Sequence, residues 1–356
     1  MRLTLAPIAC ASLIAACSQQ TALSLPPRNV QMSSRSAEVT AKGPITLWAT
    51  VTGGGYLFAL NKRGNVVSSI DTKSNGCATP GTVKVDSAQN VWVNCYALPS
   101  QTTGGGIQEY SSSGELERTY AANAAIECPG SDRCYFVSFD GSWDSQGHVF
   151  SELSYGSDES SNEGLTPGFF WWNAKDPSKQ TFIPVGSHYC DPACTIYYMD
   201  VDAKGNLWFD FTADSNSLWQ IGEIKNPTTH PSFTVVELKG VSAAFGGVYI
   251  NDRTQVLNLV LKSYRLIYRY QLPLTPHSRP FQTLGPTPLN ELNAGSPDTG
   301  SFNEDDSKLV MGDDSGWLDL GKVRTNSWKI KTSPDLVSGV LGASYTPSDK
   351  VSSPGF

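Results

Sequence analysis

The sequence predicts an all-β protein, a six-bladed β-propeller of four-stranded blades whose first blade is closed by the C-terminal strand. Three observations carry this. A turn-and-strand unit recurs with a period near fifty residues, four strand signals keep a fixed order within each period, and one extended segment is left over at the C-terminal end.

The unit is plainest in "DAKGNLWFDF" from Asp202, where a polar turn with a glycine precedes Leu207, Trp208, Phe209 and Phe211. Related stretches are "DSAQNVWV" from Asp86, "DSQGHVFS" from Asp144 and "NDRTQVLN" from Asn251, with a weaker copy, "EDDSKLVM", from Glu304. The successive steps are 58, 58, 49 and 53 residues, and "ITLWAT" at 45–50 matches the apolar half of the unit. Within a period the signals run as four strands, a to d. The second copy reads "TVKVD", "VWVNCY", "GIQEYS" and "LERTYA", and the fourth reads "TIYYMDVD", "LWFDF", "LWQIGEI" and "FTVVEL". The first copy has only b, c and d, "ITLWATV", "YLFALN" and "VVSSID". The C-terminal "SGVLGASYTPSDK" supplies the missing strand a, which leaves no open sheet edge. Trp48, Trp92, Phe150 and Trp208, at repeat positions, are expected to pack between blades.

Ahead of the ring, residues 1–16 have the layout of a secretory signal: Arg2, a short apolar stretch, then small residues. Ile14-Ala15-Ala16-Cys17 resembles the bacterial lipobox, so Cys17 is the expected lipidation site; an ordinary cleavage site with an incidental cysteine is the alternative. Residues 17–43, rich in Ser, Gln, Ala and Pro, read as a flexible tether, and residues 44–356 as the propeller. The expected location is the bacterial cell envelope, outside the cytoplasm, with membrane contact through the N-terminal lipid alone. Loss of residues 1–16 removes Arg2 and takes the formal net charge from −7 to −8, which argues against a nucleic-acid partner.

Six further cysteines, Cys77, Cys95, Cys128, Cys134, Cys190 and Cys194, are an even number in an exported chain and read as disulfides; a metal cluster is disfavoured because no CxxC pair occurs. Cys77 precedes strand a of the second blade and Cys95 ends strand b of the same blade, an adjacency that allows a bridge. In a propeller the d to a and b to c connections share one face, and the cysteines fall there. So does the insertion at 154–168, with Asp158, Glu159 and Glu163, and the equivalent connections carrying Asp214 and the pair Asp313 and Asp314. Loops on a rigid scaffold are where binding residues concentrate, so these acids are the candidate ligand-binding residues, and the 313–316 turn is a candidate calcium loop. The a to b turns, "DAKGN" among them, lie on the other face and are read as structural.

No GxSxG, HExxH, Walker or GxGxxG pattern appears in a suitable context. Asp140 and Asp200, on strands a of adjacent blades, are the candidate catalytic or metal-binding carboxylates, with calcium or magnesium as the possible ion. His188 is the one histidine on the cysteine-bearing face and the candidate general base.

The blade unit "YMDVDAKGNLWFDF" resembles the NHL, SMP-30/gluconolactonase and virginiamycin B lyase group of six-bladed propellers. That resemblance implies, for the lactonases, a divalent metal in the channel held in part by a Glu-Gly-Pro segment; the corresponding place here reads Lys42-Gly43-Pro44, without the acid. For the lyases it implies His and Glu near the channel with magnesium, and the channel strands here contain no His. The leading expectation is therefore a non-catalytic module binding a cell-envelope protein, peptide or glycan. A metal-dependent hydrolase or lyase at the channel mouth is the alternative.

Overall fold

A computed structural model of the chain describes residues 43–51, 53–96, 106–121, 140–153, 168–185, 195–212, 219–238, 241, 245–261, 264–287, 297–313, 316–332, 336 and 339–346. Their strands form six four-stranded antiparallel sheets. The first blade contains β1 (Ile45–Val51), β2 (Tyr56–Asn61) and β3 (Val66–Asp71). The second is β4 (Thr79–Val85), β5 (Val91–Tyr96), β6 (Gly106–Tyr110) and β7 (Leu116–Ala121), and the third β8 (Gly141–Trp143), β9 (His148–Leu153), β10 (Gly168–Asn173) and β11 (Asp176–Pro184). The fourth is β12 (Thr195–Val201), β13 (Leu207–Thr212), β14 (Trp219–Lys225) and β15 (Ser232–Val236), and the fifth β16 (Phe245–Asn251), β17 (Val256–Leu261), β18 (Leu266–Gln271) and β19 (Gln282–Leu284). The sixth is β20 (Pro297–Phe302), β21 (Lys308–Asp313), β22 (Trp317–Lys322) and β23 (Ser327–Thr332).

The leftover segment does what ring closure requires. β24 (Val340–Tyr345) pairs antiparallel with β1, Trp48 opposite Ser344 and Ala49 opposite Ala343, and becomes strand a of the first blade. Close approach is built in at Gly342: a Cβ there would stand 2.7 Å from the Val83 nitrogen of β4.

Each sheet is apolar on both faces, and the core is divided among the seams. Six hydrophobic clusters lie one between each pair of neighbouring blades. Trp48 packs against Val83, Val85 and Val93 of the second blade, and Trp92 against Trp143 and Trp172 of the third. Phe150 packs with Ile196 and Phe209 of the fourth, and Trp208 with Val248 and Leu257 of the fifth. The aromatic repeat residues are thus interblade packing, each contributing about 1.5–3 kcal/mol through burial.

The repeated aspartate ties the turn to that packing. Asp202 Oδ1 accepts from the Lys204 and Asn206 amides, both at 2.9 Å, while Oδ2 accepts from the Trp208 indole at 3.1 Å. Gly205, at φ +80°, supplies the left-handed residue that lets the turn close. Asp86 repeats the arrangement, with the Asn90 amide at 2.9 Å and the Trp92 indole at 3.0 Å. In the third blade Phe150 replaces the Trp, and the His148 ring takes the Asp144 Oδ2 at 2.7 Å instead. The sixth turn is anchored at Asn303, one residue earlier than the sequence match at Glu304 implies. Asn303 Oδ1 accepts from the Lys308 amide at 2.7 Å, because that turn is one residue longer than the others.

Replacing Asp202 with Ala strands two turn amides and a buried indole donor, so it is expected to cost about 2–4 kcal/mol. Urea unfolding should show a lower midpoint with an unchanged slope, and Asp202→Asn should lose less.

Candidate functional site

The inner strands are bulged. Register breaks fall between Pro80 and Val83 in β4, Ile196 and Met199 in β12, Phe245 and Gly247 in β16, and Pro297 and Gly300 in β20. A bulge frees backbone amides from the ladder, and in a buried strand these need other acceptors. Polar residues in strand b, two places after the aromatic repeat position, serve this end. Asp210 in β13 accepts from the Tyr198 amide at 2.8 Å. Glu152 in β9 accepts from the Asp140 amide at 3.3 Å, and Thr50 in β1 from the Gly342 amide at 3.1 Å. Asn94 in β5 instead donates to the Thr82 hydroxyl at 2.8 Å.

The two predicted channel carboxylates belong to this network. Asp140 stands one residue ahead of β8 rather than within it, because its amide goes to Glu152 instead of to the ladder. Its Oδ2 accepts from the Met199 amide of the next blade at 3.0 Å, and its Oδ1 from the Thr82 hydroxyl of the preceding blade at 2.7 Å. Asp200 repeats the step: Oδ2 accepts from the Ile250 amide of the fifth blade at 2.7 Å and Oδ1 from the Ser142 hydroxyl of the third at 2.5 Å. Both side chains are 1% exposed.

Between them lies a cation the sequence reading missed. The Lys84 ammonium is 3.1 Å from Asp140 Oδ1 and 3.5 Å from Asp200 Oδ1, and it donates to the carbonyls of Gly141 at 3.0 Å and Met199 at 2.9 Å. One ammonium therefore joins the second, third and fourth blades inside a cage of four oxygens. Lys84 stands two residues before Asp86, just as Ser142 and Asp200 stand two before Asp144 and Asp202. That shared repeat position was the available signal.

Burial pushes the Asp140 carboxyl upward, and the Lys84 charge and the Thr82 and Met199 hydrogen bonds oppose it. Among the described residues Asp210 faces no such cation; burial chiefly raises it to about 8, against the pull of the Tyr198 and Tyr197 amides and with a further upward push from Asp140. Among the described residues no group of three or more His, Cys, Asp or Glu is arranged to hold a metal. The oxygen cage fits a cation, and Lys84 supplies it.

On the rim that the sequence reading favours, Cys77 and Cys95 form a disulfide with a Cα–Cα distance of 5.3 Å, joining the entrance of β4 to the end of β5. Asp313 ends β21 there and is buried. Cys128, Cys134, Cys190, Cys194, His188, Asp158, Glu159, Glu163, Asp214, Asp314 and Cys17 lie outside the described residues. A surface cavity of about 550 Å³ opens on the opposite face between the fourth and fifth blades, lined by Asp202, Lys204, Glu223, Lys225 and Gln255 among others. The turn "DAKGN" forms part of its wall, so the face read as structural also has a concave feature.

Lys84→Met leaves two buried carboxylates without their counter-charge and should cost about 3–5 kcal/mol in urea unfolding, with part recovered when Asp200→Asn is added. Asp210 gives a pH signature. A carboxyl whose folded pKa lies above its unfolded value binds more protons in the native state, so stability falls as pH rises from about 4 to about 8. Asp210→Asn should flatten that fall, read as melting temperature against pH.

The chain is similar to solved structures at low sequence identity. A hypothetical selenium-binding protein from Sulfolobus tokodaii matches with a TM-score of 0.58 at 11% identity, over 88% of this chain and 80% of that one. The β-propeller domain of Cps50 (Swd1) from Myceliophteria thermophila matches with a TM-score of 0.48 at 11% identity, over 82% of this chain and 88% of that one. No protein-family model matches the chain, and no curated protein matches it in sequence. At this identity the first likeness concerns fold alone, and with the six sheets of the ring it makes the chain a β-propeller.

Proposed function

We propose that the chain is an exported propeller, lipid-anchored at Cys17 and of the NHL and SMP-30-like kind, that binds a cell-envelope protein, peptide or glycan without catalysis. The binding surface is the rim formed by the d to a and b to c connections. The observation that carries this reading is the Lys84 cage. Asp140 and Asp200, the carboxylates best placed for metal chemistry in the channel, are committed to an internal ammonium and to the amides of neighbouring strands. The channel interior thus serves to hold the ring together, and recognition is left to the surface. The Cys77–Cys95 bridge adds support, since it braces the base of a connection on that same rim.

A photo-crosslinking amino acid placed at Glu159 or Asp214 in the full chain, in cells, should yield a discrete adduct, while Lys204 and Arg324 on the opposite face should yield none. Adducts from Lys204 and Arg324 alone would move the site to the cavity face. Turnover of lactones by the purified protein with calcium or magnesium, abolished by Asp200→Asn, would establish the hydrolase alternative in its place.

A further inference from the structure

The repeat supplies an internal comparison for the cavity between the fourth and fifth blades. Glu223 in β14 stands opposite Trp208, as Glu109 in β6 stands opposite Trp92, and in each blade an aspartate of the preceding turn holds the indole. In the second blade the buried acid is closed off. The Asn90 amide donates to Glu109 Oε1 at 3.1 Å and the Tyr120 hydroxyl to Oε2 at 3.0 Å, while the Tyr120 ring stacks on Trp92 and on Trp172 of the next blade.

The fourth blade keeps the acid and lacks both closures. Tyr120 pairs with Ile107 across β6 and β7; the matching pair in β14 and β15 is Ile221 with Val236, which has no hydroxyl and a smaller side chain. The Asn206 amide donates to Asp202 Oδ2 at 3.0 Å. Among the described residues Glu223, 4% exposed, has one ion pair, with the Lys225 ammonium at 3.6 Å on a side chain that is 53% exposed. The far walls of the two seams also match. The Ala174 amide donates to the Gly147 carbonyl in the third blade and the Leu272 amide to the Gln255 carbonyl in the fifth; Ala174 clusters with Tyr120, whereas Leu272 and Gln255 line the cavity. The space that Tyr120 occupies in one seam therefore corresponds to the cavity of about 550 Å³ in the other, and Glu223 is part of its wall.

We propose that this cavity binds a neutral mono- or disaccharide, with the Glu223 carboxylate as its principal acceptor. The formal charges of the wall balance, Asp202 and Glu223 against Lys204 and Lys225, so a strongly charged ligand of either sign gains no net attraction. What the wall offers is acceptors and donors close together: the Glu223 carboxylate, the two ammonium groups and the side-chain amides of Asn226 and Gln255. A sugar hydroxyl can donate to the first and accept from the others. Burial pushes the Glu223 carboxyl upward against the Lys225 charge, and hydroxyl donors would restore to it the bonds that Asn90 and Tyr120 give Glu109. Leu272 and Pro273 supply an apolar strip for the C–H face of a ring, and the volume lies within the roughly 300–1,000 Å³ usual for small-molecule sites. The site lies on the face opposite the rim and does not depend on binding there.

The test is saturation-transfer NMR on the purified full chain with glucose, galactose, mannose, N-acetylglucosamine, maltose and cellobiose, each at about 10 mM against an expected Kd of about 1 mM, and with glucuronate as the charged control. At least one neutral sugar should show transfer, and calorimetry then gives its Kd. Glu223→Gln, which keeps the shape and removes the charged acceptor, should weaken that Kd by at least about tenfold. Val236→Tyr, which introduces the closing hydroxyl of the second blade, should abolish binding and leave the melting temperature at or above the wild-type value. No transfer to any neutral sugar, transfer to glucuronate alone, or an unchanged Kd in either folded variant would overturn the assignment. Should Val236→Tyr fail to fold, Glu223→Gln decides alone. A sugar of this size leaves no macromolecular adduct, so the result is independent of crosslinking from the rim at Glu159.

Discussion

The inner strands must leave their own hydrogen-bond ladders for a step, and the amides this frees have to be satisfied in a place from which water is largely removed. That constraint explains why polar residues recur in the interior of an otherwise apolar ring. Asp210, Glu152 and Thr50 sit at matching places in strand b and accept from bulged or edge amides of their own blades. Asp140, Asp200 and Ser301 reach one blade onward, to Met199, Ile250 and Tyr345. The first set stabilises each blade and the second joins blade to blade. A carboxylate is an effective acceptor for either task, but it brings a charge, and Lys84 is the answer where two such charges meet.

This arrangement divides the molecule's chemistry by depth. At the seams, six apolar clusters with Trp48, Trp92, Phe150 and Trp208 supply non-directional cohesion. Closer to the channel, directional bonds set the angle and spacing of neighbouring blades. At the periphery of one face, the turn aspartates convert a loop requirement into a packing requirement by holding the indole that fills the next seam. A substitution at any of these layers therefore disturbs the adjacent one.

Much of this was legible in the sequence, and the limits have physical reasons. The repeat, the four-strand order and the closing role of the C-terminal segment follow from turn chemistry and strand periodicity, which are local. The Cys77–Cys95 bridge was within reach for the same reason, since both residues border one adjacent strand pair. Lys84 was not identified because its partners Asp140 and Asp200 are distant in sequence and only the ring brings them together. Asp210 is hard to read from sequence as an interior acid because alternation in a sheet usually sends a charged residue to solvent. In a propeller both faces of most strands are covered by neighbouring blades, so an acid in an apolar run has nowhere outward to point.

The closing strand has a consequence for how the protein comes into being. β24 and β1 occupy neighbouring places in one sheet yet stand at opposite ends of the described chain. Synthesis proceeds from the N-terminus, so β1 to β3 emerge long before their inner neighbour exists, and they present an unpaired edge throughout that interval. The ring can be assembled blade by blade, but its joint is made last, by the segment around Gly342 sliding between Thr50 and the strand of the next blade. Until then the chain is an open arc, and the period of greatest exposure to wrong strand pairing is set by the length of the polypeptide rather than by the stability of any blade.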